Sequence, residues 1–175
     1  LNLIRKKIIK TVGNPHERFM EDGLRPLRAL RFASQLNFGI EKCTYSEIFE
    51  EEVQKRIASV SLERFRDEFE KILFSPVPSV GLRLMEETGV LKIFIPELSE
   101  CRGVTQKDAR GFHNFDVLDH CISACDGAPK ENLTVRYAAL FHDIGKKDTR
   151  EVVFKSDPQN PNNKVKIIHF FRQDR

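Results

Sequence analysis

The chain has 175 residues, of which 40% are hydrophobic and 31% are charged, and its net charge is +3, which is ordinary for a globular protein. This length allows one good core or two small domains, and no apolar run approaches the roughly 20 residues that span a bilayer, so we expect no membrane partner. Four cysteines without a disulfide-like framework, and a basic start without a signal peptide, predict a cytoplasmic protein.

Turn and cap signals divide the first hundred residues into a weak strand and a series of short helices. The predicted elements are a strand over residues 3–12, a helix beginning at residue 15, helices over residues 22–36, 44–58, 62–74 and 80–87, and a short apolar segment over residues 90–98. Asn14, Asp22 and Ser61 are the expected N-caps of three of these helices.

The remaining residues also favour helices. Residues 99–111 are polar and aperiodic, which indicates a loop or a domain boundary. The predicted elements after it are helices over residues 115–125 and 133–144, a Pro/Asn-rich loop over 156–164 and a strand over 165–171. The fold class is therefore expected to be mainly α, with one helical domain over residues 1–100 and a second over residues 101–175.

The helix over residues 22–36 carries arginines at steps of three in an otherwise apolar sequence. On a helical wheel, Arg28 and Arg31 share a polar sector about 60° wide, and Arg25 lies at the edge of the apolar sector. Asp22 and Arg25 together offer a hydrogen-bond acceptor and a forked donor, a combination that matches the Watson–Crick edge of a base. Arg28 and Arg31 would then neutralise phosphates.

The charge distribution supports a polyanionic partner but leaves alternatives open. Residues 1–36 hold eight lysines and arginines against three carboxylates. The basic residues at positions 6, 7 and 10 are equally compatible with a solvated lysine face. The alternative for the arginine helix is that its guanidinium groups pair with Glu17, Glu21 and the acidic segment at residues 47–52.

Residues 13–33, GNPHERFMEDGLRPLRALRFA, resemble the neck signature of the tRNA nucleotidyltransferase/poly(A) polymerase family, which includes the bacterial CCA-adding enzymes. Residues 61–73, SLERFRDEFEKIL, resemble the next neck helix. The resemblance implies that the Glu-Asp-x-x-Arg motif selects CTP or ATP by hydrogen bonds to the base. It assigns base reading to Asp22 and Arg25, and the next two arginines of the helix would contact the nucleotide or brace this template.

The same resemblance implies an enzyme that transfers CMP and AMP from CTP and ATP to the 3′ end of tRNA or of another RNA. The family's catalytic head, whose paired aspartates bind Mg²⁺, lies upstream of the neck, and nothing in residues 1–12 resembles it. Both ends of the chain look cut. We therefore expect a piece of a longer protein, without catalytic residues of its own and inactive alone. CCA-, CC-, A- and poly(A)-adding activities all fit this sequence, and no oligomeric state is indicated.

A second constellation contains histidines and an aspartate. Residues 138–146, AALFHDIGK, place a His-Asp pair at the end of an apolar helix, and His120 lies on the preceding helix. His120, His142 and Asp143 can thus converge on a metal ion. The pattern, with segment 113–120, resembles the HD phosphohydrolase superfamily, a domain that some CCA-adding enzymes carry after the neck. This resemblance implies a divalent transition metal and hydrolysis of phosphomonoesters or cyclic phosphates as the alternative function.

Two features argue against a metal. Where the superfamily commonly has another histidine, this chain aligns Gln173, a poor ligand, and the superfamily's fourth ligand lies further downstream. The alternative is that the three residues form a hydrogen-bonded structural cluster. Cys121 and Cys125 share a helix face and are expected to be reduced core residues rather than zinc ligands. A non-catalytic RNA-binding helical module is the third functional class that the sequence allows.

Overall fold

A computed structural model of the chain describes residues 2–104, 116–157 and 160–170, and side chains over residues 4–104 and 116–149. The helices are α1 (Asn2–Arg5), α2 (Pro15–Glu21), α3 (Leu24–Leu36), α4 (Lys42–Glu47), α5 (Glu51–Ala58), α6 (Leu62–Leu73), α7 (Pro78–Glu87), α8 (Val90–Phe94), α9 (Pro96–Ser99), α10 (Val117–Gly127) and α11 (Leu133–Phe141), followed by a 3₁₀ helix at Ile144–Lys147. The strands are β1 (Ile8–Ile9), β2 (Gly39–Ile40), β3 (Arg150–Asp157) and β4 (Asn160–Phe170). The prediction of a mainly α fold is confirmed.

A single buried core joins helices on both sides of residue 100. Helix α10 packs on α7 and on α11, and α11 also packs on α6. The buried cluster extends through all of these helices and includes Phe19, Leu30, Ile72, Met85, Leu118 and Leu140. The division into domains at residue 100 stays a prediction. Among the described residues, no helix is long and apolar enough to cross a membrane.

Helix α3 lies against α6 and α7, and small residues allow the close crossing. A Cβ atom on Gly81 of α7 would lie 2.6 Å from Ile72 Cγ2 and 2.9 Å from Ser34 Cβ, so a side chain there would push the helices apart. The buried hydroxyl of Ser34 is hydrogen-bonded to that of Ser75 at 2.7 Å, which satisfies both groups in the interface. This packing holds α3 firmly on the core.

A two-residue parallel strand pair joins the segment before α2 to the segment after α3. Ile8 is in register with Gly39, and Ile9 with Ile40. Beside the pair, the Thr11 amide donates to Thr44 Oγ1 at 3.3 Å. The segment that contains α2 and α3 therefore begins and ends at the same place in the fold.

The helix predicted over residues 44–58 is wrong in one respect, because the chain turns at residues 48–50 and forms α4 and α5 instead. Thr44 and Ile48 are buried, and so are Val53 and Ile57. In one continuous helix, Ile48 and Val53 would lie about 140° apart around the axis. The turn allows both residues to face the core.

Two further predictions need correction. The strand predicted over residues 3–12 is a short helix followed by the two residues of β1. The loop predicted over residues 156–164 is wrong in part, because β3 and β4 form an antiparallel hairpin whose pairing continues to Asp157 and Asn160, with a register shift beside Asp157. Such a shift accommodates Pro- and Asn-rich sequence within a two-stranded hairpin. Residues 105–111 of the predicted loop, residue 115 of the predicted helix over 115–125, and residue 171 of the predicted strand lie outside the described residues.

Candidate functional site

The arginine helix begins at a tight corner between α2 and α3. Helix α2 ends at Glu21, Asp22 is extended, and Gly23 is the N-cap of α3. The predicted N-cap at Asp22 is therefore displaced by one residue. Its carboxylate still caps the helix, because Oδ1 accepts the backbone N–H of Leu24 at 3.0 Å.

Asp22 is an ionised acceptor in this corner. Arg64 of α6 donates through Nη2 to Oδ2 at 2.9 Å and to Oδ1 at 3.2 Å. Partial burial acts to raise the pKa of Asp22, but the hydrogen bonds from the Leu24 amide and from Arg64 outweigh it and hold that pKa below its ordinary value. The carboxylate is thus negative near neutral pH.

Arg25 lies beside Asp22 and is held by the end of α2. Its Nη1 is 2.5 Å from Glu21 Oε2 and donates to the Arg18 carbonyl at 3.1 Å. Arg18 in turn donates to Glu21 Oε1 at 2.8 Å. Arg18 and Arg25 line a surface cavity of about 280 Å³ together with Thr11 and Val12. The carboxylate partner expected for the arginines is thus present at Glu21, but at a concave surface that is open to a ligand.

Arg28 and Arg31 have different environments, although the sequence places them on one stripe. Arg28 is exposed and has no partner within the part of the chain that the structure describes. The Arg31 side chain is 11% exposed, and its Nε donates to Glu68 Oε2 at 2.5 Å. Its guanidinium also covers the Phe32 ring at 3.8 Å. Helix α6 packs over Arg31, which makes this residue part of the α3–α6 interface.

Sequence reasoning missed Arg18, Arg56 and Arg64 around the corner. Arg18 had a local signal, because it lies three residues before Glu21 on the same helix, a spacing that brings side chains together. Arg64 and Arg56 come from α6 and α5, and only the tertiary packing brings them to the corner. Arg56 donates through Nε to the Met20 carbonyl at 3.1 Å.

The predicted metal ligands are brought together at the ends of α10 and α11. His120 Nε2 is 3.1 Å from His142 Nε2, and Asp143 Oδ2 is 3.5 Å from the former and 3.1 Å from the latter. Suitable ligand atoms of the three residues all lie within 4.8 Å of one another. Two imidazoles and one carboxylate are a ligand set that divalent transition metals accept.

The hydrogen bonds around this cluster define its donors. His142 Nδ1 lies 2.8 Å from the Ala139 carbonyl, which only accepts, so Nδ1 carries a hydrogen and Nε2 is the ring nitrogen that faces the cluster. Lys146 Nζ lies 2.6 Å from Asp143 Oδ2. Burial acts to raise the pKa of Asp143, but Lys146 and then His142 outweigh it and hold that pKa below its ordinary value. The Asp143 carboxylate therefore stays ionised, and the cluster suits a bound cation.

The cysteines belong to the core. Cys121 and Cys125 are free and fully buried, and burial raises the pKa of each thiol to about 11. Both are therefore neutral thiols, as expected for reduced core residues. Gln173, the aligned position of the superfamily's further histidine, and residues 113–115 of the resembling segment lie outside the described residues.

Residues 37–101 match the sequence model of a family described as "Probable RNA and SrmB- binding site of polymerase A". This region begins directly after α3 and contains the helices that pack around the corner, including those that carry Arg56 and Arg64. The match therefore covers the helices that support the corner, but not the corner between α2 and α3 itself.

Several curated relatives extend the similarity over most of the chain. The A-adding tRNA nucleotidyltransferase of Deinococcus radiodurans is 33% identical over 162 residues, which are 89% of this chain and 35% of that protein. The CC-adding tRNA nucleotidyltransferase of Thermus thermophilus is 33% identical over 154 residues, 84% of this chain and 34% of that protein. The CCA-adding enzyme of a Geobacillus strain is 40% identical over 116 residues, 66% of this chain and 28% of that protein. The chain thus spans about a third of the length of these relatives.

Proposed function

Because the chain belongs to the tRNA nucleotidyltransferase family, we propose that it supplies the base-selecting neck of an enzyme that transfers CMP and AMP from CTP and ATP to the 3′ end of tRNA or another RNA. The observation that carries this proposal is the corner between α2 and α3. There, the Arg25 guanidinium, a forked donor, lines the cavity, and its charge helps to keep the neighbouring Asp22 carboxylate ionised as an acceptor.

The contacts at the corner can be exchanged for contacts to a base. The side chains of Arg25 and Arg64 are 39% and 51% exposed, and ion pairs at such exposure contribute little free energy, so a ligand displaces them at small cost. An incoming base would take the place of Glu21 as the partner of Arg25. It would also take the place of Arg64 as the partner of Asp22. The displaced Arg64 would remain nearby as a cation for the nucleotide phosphates.

We assign different roles to the two later arginines of α3. Arg28 is exposed and unpartnered among the described residues, which suits a contact to the nucleotide phosphates. Arg31 is bound to Glu68 in the helix interface and would brace the template from within. The nucleotide-binding role expected for Arg31 is therefore proposed as an indirect one.

The test compares single variants of the enzyme encoded by the native reading frame that contains this chain. We expect Arg25→Ala to reduce the CTP-over-ATP ratio of kcat/KM by about tenfold, the effect of one lost charge-assisted hydrogen bond, with RNA affinity within about twofold. Arg66→Ala is the matched control, because this α6 arginine is 61% exposed and its carboxylate contact is at 3.8 Å. Unchanged discrimination in Arg25→Ala would count against the template role.

The transfer reaction also needs carboxylates that hold Mg²⁺ and activate the RNA hydroxyl. Over residues 4–104 and 116–149, the His/Asp cluster is the one group with metal-ligand geometry, and its imidazoles do not suit Mg²⁺. We therefore assign the Mg²⁺ site to another part of the enzyme.

Buried free thiols at Cys101, Cys121 and Cys125 support a reducing, cytoplasmic location.

A second function, metal-dependent phosphohydrolysis, is favoured by the convergence of His120, His142 and Asp143. A divalent transition metal held by these residues would supply Lewis-acid polarisation of a phosphate and an activated water. We expect Mn²⁺ or Co²⁺ to raise the Tm of the full-length protein, and Asp143→Ala to abolish both this shift and the hydrolysis of a cyclic phosphodiester. Asp148→Ala, at an exposed neighbour, is the control. Absence of a Tm shift and of hydrolysis in the unmodified protein would exclude this function.

A further inference from the structure

Arg56 of α5 holds the corner between α2 and α3 through two side-chain hydrogen bonds. Its Nε donates to the Met20 carbonyl at 3.1 Å, and its Nη2 donates to the Glu21 carbonyl at 3.2 Å. These are carbonyls of the last turn of α2, which have no partner within their own helix. The Arg56 side chain thus ties down the backbone immediately before Asp22.

The backbone of Arg56 supports the other side of Asp22. A Cβ atom built on Gly23 would lie 2.2 Å from the Arg56 carbonyl oxygen, so the Gly23 backbone lies directly against that carbonyl. The same oxygen accepts the Ser59 hydroxyl at 2.7 Å, which fixes its direction at the end of α5. One residue of α5 therefore limits the movement of the chain both before and after Asp22.

This support acts on both base-reading groups without touching either of them. Glu21, whose carbonyl Arg56 holds, is also the residue whose carboxylate binds Arg25. A shift of the Glu21 backbone would consequently change the position of Asp22 through the chain and that of Arg25 through the ion pair. A displacement of about 1 Å in such a pair is large compared with the tolerance of a hydrogen-bonded recognition site.

We propose that Arg56 is a positioning residue for nucleotide selection, which sets the separation of the Asp22 acceptor from the Arg25 donor. This inference rests on the proposed base-selecting function. It extends the selecting machinery from the α2–α3 corner to α5, a helix in the region matched to RNA binding. It also predicts that selectivity depends on a side chain that has no direct contact with the nucleotide.

The experiment measures kcat and KM for CTP and for ATP in the full-length enzyme carrying Arg56→Ala, Arg56→Lys or Lys55→Ala. We expect Arg56→Ala to reduce the CTP-over-ATP ratio of kcat/KM about five- to tenfold, mainly through the KM of the preferred nucleotide. Arg56→Lys retains a donor for one of the two carbonyls and should recover part of the ratio. Lys55 is the matched control, because this neighbour on α5 pairs only with the exposed Glu51 among the described residues.

The outcome also separates this inference from the function on which it rests. A merely structural role predicts a lower Tm in Arg56→Ala with an unchanged nucleotide ratio, and that result would overturn the inference. Loss of discrimination in Arg56→Ala, with partial recovery in Arg56→Lys, supports it. If the unmodified enzyme transfers no nucleotide, the proposed function itself fails, whatever the variants do.

Discussion

His16 shows how a single residue connects α2 to the acidic segment at residues 47–52. Its Nδ1 lies 2.7 Å from Glu47 Oε1, and its Nε2 lies 3.5 Å from Glu52 Oε2. The hydrogen bond with Glu47 raises the pKa of His16 above its ordinary value of 6.5, with a smaller opposing effect of burial. The acidic segment thus pairs with a histidine, although the sequence had suggested the arginines of α3.

This contact makes stability depend on pH. A raised pKa in the folded state means that the stabilisation is fully present below pH 6.5 and is lost as the pH rises through the raised pKa. We expect the Tm of the unmodified protein to exceed that of His16→Gln at pH 6, and the difference to shrink by pH 9. Thermal unfolding followed by circular dichroism at both pH values measures it. An equal difference at the two pH values would show that His16 is not coupled to the carboxylates.

At the scale of elements, the end of α6 depends on a buried arginine of α11. Arg136 is 2% exposed, and its Nη1 donates to the Ser75 carbonyl at 2.7 Å and also to the Leu73 carbonyl. Its Nε donates to the Ala128 carbonyl at 3.3 Å. A cation that satisfies the last carbonyls of a helix also interacts favourably with the helix dipole. Arg136 therefore joins α6 to α11 through polar contacts within the core.

Replacing this arginine should loosen both helices. We expect Arg136→Met to lower the free energy of unfolding by about 3 kcal/mol, because buried carbonyls lose their donors. Urea denaturation gives the magnitude, and faster hydrogen exchange in α11 would locate the effect. Arg136→Lys keeps the charge but has fewer donors. We expect its free energy of unfolding to lie between those of the unmodified protein and Arg136→Met. A loss below about 0.5 kcal/mol, the range of an ordinary surface substitution, would contradict this role.

Local signals predicted the elements better than their relative positions. Asn14 and Ser61 cap α2 and α6 as expected, because a cap depends on residues two or three positions away. The division of the helix at residues 48–50 could not be predicted, because it depends on which face meets a core built from distant residues. For the same reason the sequence grouped Arg28 with Arg31, and only the position of α6 separates them. The convergence of His120 with Asp143 could be predicted from the sequence, since His120 lies on α10 and Asp143 lies just beyond the end of α11, the next helix.

For the whole molecule, the continuous core predicts cooperative unfolding across the expected domain division at residue 100. The chain has two tyrosines and no tryptophan, and Tyr45 and Tyr137 lie on opposite sides of that division. We expect Tyr137 fluorescence in Tyr45→Phe to change at the same urea concentration as the helical circular dichroism signal. In Tyr137→Phe, the fluorescence of the remaining Tyr45 reports in the same way on residues 1–100. Separate midpoints for the two reporters would instead support two independently stable domains.

The short β1–β2 pair has a consequence for engineering specificity. Because this pair joins the entry to α2 with the exit from α3, the intervening segment of roughly thirty residues can be exchanged as a cassette whose ends need no new connection. Segments from the A-adding and CC-adding relatives are natural donors. A chimera that keeps Arg31 and Ser34, which contact α6 and Ser75, would transplant the corner proposed to select the nucleotide while its supporting scaffold stays constant.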